Sequence, residues 1–241
     1  MTGTIRATAN DILNRVGVEV GLDPVNDPFS SSDKSYQQLS YLLNTAGEEL
    51  SQLHPWEFLR GEATITTDGS DTYALPSDFL YIINQTIWDQ TNDRAVYGPL
   101  TPQEWTALAA SGDVSSTMYT YFRLVDDQIE FYPTPESGVS ITYEYIDRNW
   151  VLDATTGTSY KDRVAQGGDT PRFNRTLLSR MLKVKFLEAK GFDTSKAQAD
   201  LNQSFVLLTA RNKGAPILSQ GRKRRRGLLN SGNVPETGYG G

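Results

Sequence analysis

The hydrophobic period of this chain changes twice, and those changes limit the folds open to it. Apolar residues recur at helical spacing up to about residue 60 and in strand-like runs from about 64 to 147. From about residue 171 they return to helical spacing. The pattern is two helices, a β-rich insertion, two more helices and a tail. No period of 20–50 residues marks it as a repeat protein.

The first helix is expected over about 4–17, with Ile5, Ala9, Ile12, Leu13 and Val16 on one face. Thr4 is its expected cap, and Gly17 and Gly21 its expected end. After a loop rich in Asp, Pro and Ser, a second helix runs from about Asp33 to Leu53 with Tyr36, Leu39, Leu43, Ala46 and Leu50 on one stripe. Pro55 stops it, because the residue before a proline is pushed out of the helical region.

Between 64 and 147 the short runs are rich in Val, Ile, Thr and Tyr. Residues 64–67 and 72–75 flank Asp68-Gly69-Ser70, a hairpin signal, and 80–89 reads as one strand followed by a turn to 94–97. Residues 120–125 and 128–132 flank the two-residue connection Asp126-Asp127, and 139–146 alternates polar and apolar positions. Thr101-Pro102-Gln103-Glu104 is a capping box with proline at the first helical position, opening a short helix to about 110.

A polar connection over 149–170 is long for a compact domain, and reads as an interaction loop or a mobile one. Thr170-Pro171 is the expected start of a helix reaching Lys190 and closed by Gly191; Thr194 is the expected cap of a last helix ending near Asn212. On the 171–190 helix Phe173, Leu177, Met181 and Val184 share one face, and Leu178, Leu182 and Phe186 another. Its apolar arc spans about 220°, against about 100° for an ordinary surface helix. Such a helix needs neighbours on two sides: a bundle interior, or a bundle on one side and another subunit on the other.

These boundaries give an α+β chain. An N-terminal helical pair (1–60) and a connection with a C-terminal helical pair (151–214) form a bundle. It carries an inserted antiparallel β domain with one short helix (61–150), and an extended basic, glycine-rich arm follows (215–241).

The 241 residues contain no cysteine and one histidine, His54, so disulfides, thiol nucleophiles and thiolate metal sites are excluded. His54 sits at a helix end without a Gly-x-Ser-x-Gly elbow, and no phosphate-cradling glycine motif follows a strand. Glu48/Glu49 and Asp126/Asp127 are sequence neighbours, which point apart on a helix or strand, although an acid/base pair distant in sequence stays open. No run approaches 18 apolar residues and the N-terminus lacks an apolar signal core, so the chain reads as soluble and made in a cytoplasm.

The net charge of −6 conceals an asymmetry: residues 1–160 hold 7 basic and 23 acidic residues (−16), residues 161–241 hold 16 and 6 (+10). The run Arg222, Lys223, Arg224, Arg225 and Arg226 is the sharpest local feature. It reads as an arm that grips phosphates or an acidic protein groove, or as a solvated run that keeps a tail in solution. Trp56, Phe58, Trp88, Trp105 and Trp150 lie in the acidic part, where nucleic acid is repelled, and read as core or subunit-interface anchors.

The order of elements resembles the head-to-tail adaptor proteins of tailed bacteriophages, the tail-tubular-A or connector group that forms the first ring below the portal. The resemblance rests on the helical pair ending in His54-Pro55-Trp56-Glu57-Phe58-Leu59 and on the segment Tyr73-Ala74-Leu75-Pro76-Ser77-Asp78-Phe79. The run VSITYEYID at 139–147, the late helix pair and the basic tail complete it. It implies a virion structural protein at the head–tail junction, assembled in the host cytoplasm as a homo-oligomeric ring, typically of twelve copies. Its partners would be the portal, reached by the arm, and a distal tail tube or nozzle protein. Double-stranded DNA would pass through the channel without specific binding, and no catalytic residue, metal, cofactor or membrane is implied. Some short-tailed phage relatives are credited with cell-wall hydrolysis, but no residue pattern here transfers it. Two other readings stay open: a nucleic-acid-binding protein using 161–226, and a hydrolase built from dispersed carboxylates.

Overall fold

The computed structural model describes residues 6–111 and 119–212. Helix α1 (Ala9–Glu19) begins one turn later than its apolar pattern suggests. Thr8, not Thr4, is the cap: its side chain accepts from the Asp11 backbone while the Asp11 carboxylate accepts from the Thr8 backbone. Thr4 and Ile5 lie outside the described residues. Gly17 does not end the helix but lies buried within it, where the Tyr36 ring occupies the space a side chain would need. Helix α2 (Lys34–Leu53) is capped by Asp33 and buries the stripe read from its spacing, Tyr36, Leu39, Leu43, Ala46 and Leu50. Past its end Trp56 folds back, and its Nε1 donates to the Leu50 carbonyl at 2.6 Å. A short 3₁₀ turn (Glu57–Leu59) leads into the sheet.

The sheet is organised around β8 (Ser140–Asp147), which pairs antiparallel with β1 (Arg60–Thr66) from Arg60 opposite Ile146 to Thr66 opposite Ser140. Along its other edge lie β3 (Phe79–Ile82) and β4 (Trp88–Asp89). The strand expected over 80–89 is therefore broken. Gln85 takes a positive φ of 66°, and the Thr86 hydroxyl bonds the Ile83 carbonyl, so the chain leaves the ladder and returns. The order continues through β5 (Arg94–Tyr97), β6 (Thr120–Val125), β7 (Gln128–Tyr132) and β2 (Thr72–Ala74).

The hairpin expected at Asp68-Gly69-Ser70 does not form: β1 pairs with β8, and β2 with β7. A turn signal marks where a chain bends, not which strands then meet. Here the Asp68 carboxylate accepts from the Ser70 backbone and the Tyr73 hydroxyl, making a corner between distant sheet positions. The Asp126-Asp127 hairpin does form, with φ of 47° and 59° at its two central residues. The sheet is mixed rather than wholly antiparallel, because β5 and β6 run parallel. Helix α3 (Pro102–Ser111) lies in the crossover that a parallel pair requires. Its Thr101–Glu104 box closes as read from sequence.

The 149–172 connection is built into the core. It forms a second sheet of β9 (Val151–Leu152), β10 (Tyr160–Lys161) and β11 (Thr170–Pro171). Because Thr170 and Pro171 are spent on that sheet, helix α4 starts only at Arg175 and runs to Lys190, capped by Asn174 and closed by left-handed Gly191. Helix α5 (Ser195–Asn212) follows; the Asp193 carboxylate accepts from the Ser195 backbone, while Thr194 supplies the carbonyl for Gln198.

The fold is α+β, helices flanking an inserted β portion, with two apolar cores. One joins α1, α2, α4 and α5 to Trp56, Trp150 and Phe173; the other fills the sheet around Phe122, Ile129, Phe131, Ile141 and Tyr143. They meet at the end of β8, where alternation stops and the consecutive residues Tyr145 and Ile146 are both buried, one in each core. Trp150 is the largest fully buried side chain, and its ring lies flush on Gly47 of α2, where no other residue leaves room. Replacing Trp150→Ala is expected to cost about 3–5 kcal/mol, read as a fall in the urea midpoint; a loss under about 1 kcal/mol would show that this contact does not hold the bundle.

Candidate functional site

Among the described residues, a tightly organised set of polar groups fastens 149–172 to the bundle. Asp169 is fully buried, and its carboxylate accepts from the backbones of Ala154, Ala165 and Gln166 at 3.1, 2.8 and 3.0 Å and from Lys161 Nζ at 2.8 Å. Asp153 takes the same ammonium at 3.0 Å. Burial pushes the Asp169 carboxyl up, but Lys161 and the three backbone donors outweigh it and hold the group below the ordinary range. The carbonyls of Asp169 and Gly167 in turn accept from Ala9 and Asn10, the open N–H groups at the start of α1. Asn44 clamps the segment to α2, accepting from Val164 at 2.8 Å and donating to its carbonyl at 3.1 Å.

Arg172 finishes the segment. Its guanidinium lies over the rings of Tyr160 and Phe58, donates to the Asn149 carbonyl, and faces Asp147 at 3.7 Å. Burial lowers the Arg172 pKa and raises that of Asp147. This is a structural fastening in which each charge is engaged by its neighbours.

The seven apolar residues read from sequence as packing positions, Phe173, Leu177, Leu178, Met181, Leu182, Val184 and Phe186, all lie in the helical core of one chain. Phe173 precedes α4 rather than belonging to it, and packs edge-on to Trp56 and Phe58. The neighbours on several sides of α4 are α1, α2 and α5 of the same chain. The basic run from Arg222 through Lys223, Arg224 and Arg225 to Arg226 lies outside the described residues.

His54 ends α2, with its ring edge-on to Trp56 and Phe205 at 5.0 and 6.3 Å. Glu49 pairs with Lys185 at 2.5 Å, across from α2 to α4. Trp56, Trp105 and Trp150 are buried, whereas Trp88 remains 41% exposed on the sheet. Among the described residues no cluster of His, Asp and Glu is arranged to hold a metal ion, and no helix is long and apolar enough to cross a membrane.

Among the described residues, two of the clefts open between helices of the bundle. One, of about 410 Å³, lies between α2, α4 and α5 over Leu50, Met181, Leu201 and Phe205. The other, of about 450 Å³, lies between α1, α4 and α5 and is polar. Its α4 wall is Thr176, Ser179, Arg180 and Lys183, at i, i+3, i+4 and i+7, with Leu187 one turn further on. Across it the Glu19 carboxylate sits between Arg15 Nε at 3.4 Å and Lys183 Nζ at 3.2 Å, and Arg180 donates to the Asp200 carbonyl at 2.7 Å and to the Ser204 hydroxyl. No local sequence motif marks this cleft; its signal is the polar remainder of α4.

With this architecture in place, the relationship of the chain to known proteins is direct. The family model described as SU10 adaptor protein matches residues 7–226. No curated protein matches the chain. The chain belongs to the SU10 adaptor protein family, and so is a phage structural adaptor, a virion component that contacts other head and tail proteins.

The Asp169 fastening makes a pH prediction. A carboxyl whose pKa is lowered on folding stabilises the fold above its unfolded value of about 3.9, and that stability is lost as pH falls through the folded value. The urea midpoint of the native chain is expected to drop below about pH 4. Asp169→Asn, which removes one member of a buried ion pair, is expected to cost about 3 kcal/mol at neutral pH and to show a shallower acid decline. An unchanged midpoint and acid limb would contradict this account.

Proposed function

We propose that this chain forms a closed homo-oligomeric ring, of the twelve-copy kind built by the tail-tubular-A group. The ring joins the portal to the tail and continues the channel through which the genome leaves. The observation that carries the reading is the match to the adaptor family over residues 7–226, nearly the whole chain. In this proposal the helical portions 1–60 and 151–214 form the ring body, and 61–150 with its loops faces the distal tail tube or nozzle protein. The arm 215–241 reaches the portal through Arg222, Lys223, Arg224, Arg225 and Arg226.

Two physical arguments support it. A ring needs heterologous contacts, in which one surface meets a different surface on the next copy. A chain with −16 on residues 1–160 and +6 on residues 161–213 carries unlike surfaces of that kind. An acidic channel wall would also let DNA pass without holding it.

Removing residues 215–241 is expected to leave a chain with the native melting curve that no longer cosediments with portal rings. Normal portal attachment by the truncated chain would overturn the role of the arm. The full-length chain is expected to show no steeply salt-dependent DNA binding at about 50 mM salt; tight binding that falls away with salt would favour a nucleic-acid-binding protein instead.

A further inference from the structure

We propose that the polar cleft between α1, α4 and α5 is the acceptor half of the contact between neighbouring copies, taking a carboxylate side chain from the acidic 1–160 portion of the next copy. The inference rests on the ring reading and deepens it by assigning a surface.

Three observations converge on this cleft. First, Ser179 is 3% exposed, lines the cleft, and its hydroxyl has no hydrogen-bond partner among the described residues. A buried hydroxyl without a partner is uncommon, and an incoming oxygen would satisfy it. Second, the walls carry four cations, Arg15, Arg180, Lys183 and Lys196, against the three carboxylates Glu19, Asp193 and Asp200. The internal pairs are lopsided. Glu19 serves both Arg15 and Lys183, the Asp193 carboxylate is turned to Ser195, and Lys196 has no salt bridge among the described residues. Asp200 also stands without a salt bridge among the described residues, and the wall keeps a net charge of +1, which an incoming carboxylate would offset.

Third, two exposed apolar residues adjoin the lining residues in sequence. Val18 and Phe192, next in sequence to the lining residues Glu19 and Asp193, are 56% and 62% exposed. Exposed apolar side chains close in sequence to a polar, charged cleft suit a protein surface better than a phosphate backbone. Charge complementarity selects the protein: the chain's own residues 1–160 hold 23 acidic against 7 basic residues.

The test uses the full-length chain on portal rings, with a photo-crosslinking amino acid at position 196. The expected product is a chain-to-chain adduct whose second peptide lies within residues 1–160. In parallel, Lys196→Glu combined with Phe192→Asp is expected to reduce the chain assembled per portal by about tenfold or more, with an unchanged melting curve, because both side chains are exposed. Adducts to portal or to DNA, or normal assembly by the double variant, would overturn the assignment and leave the ring standing. Failure of the unsubstituted chain to assemble on portal rings would overturn both.

Discussion

Helix α4 is buried on most of its circumference, and the rest of the structure depends on that burial. Because Leu177, Leu178, Met181, Leu182, Val184 and Phe186 point in several directions at once, one partner helix could not cover them. They draw α1 and α2 from the front of the chain and α5 from its end into one bundle. Everything between α2 and α4 must then leave the bundle and return to it, and the β portion is that excursion.

The way out and the way back are both anchored in the bundle. The exit is the aromatic corner at Trp56, whose indole bonds the end of α2. The return passes through Ile146, Trp150 and Phe173, in the same core as Trp56. The 149–172 segment is tied down by Asp169, Lys161 and Asn44 as well as by the buried Trp150, Val151 and Val164, since the rest of its sequence is mostly polar. A loop of that composition can be ordered only where its backbone polar groups find partners, and the start of α1 supplies some of them. The same use of α4 leaves its narrow polar stripe between α1 and α5, the surface that carries the proposed contact between copies.

The fold class was legible because it rests on period, and period is local. Both stripes of α4 and the stripe of α2 are buried as their spacing requires, and the capping box at Thr101–Glu104 and the Asp126-Asp127 turn form as their sequence signals indicate. What sequence could not give depends on distant partners. Asp68-Gly69-Ser70 bends the chain as a hairpin would, but the partner of β1 is β8, more than seventy residues on. Thr170-Pro171 has the form of a helix start, yet a strand at 151–152 takes it first. The cleft was hidden for the same reason. Arg15, Ser179 and Lys196 belong to three helices, and only their packing makes them neighbours.

The native mass of the 241-residue chain mixed with portal rings decides whether the copies close into a ring. A closed ring is expected: one whole-number complement of chains per portal, with no partly filled series at saturation. A chain that stays free, or that adds to portals in a continuous range of copy numbers, would contradict the account.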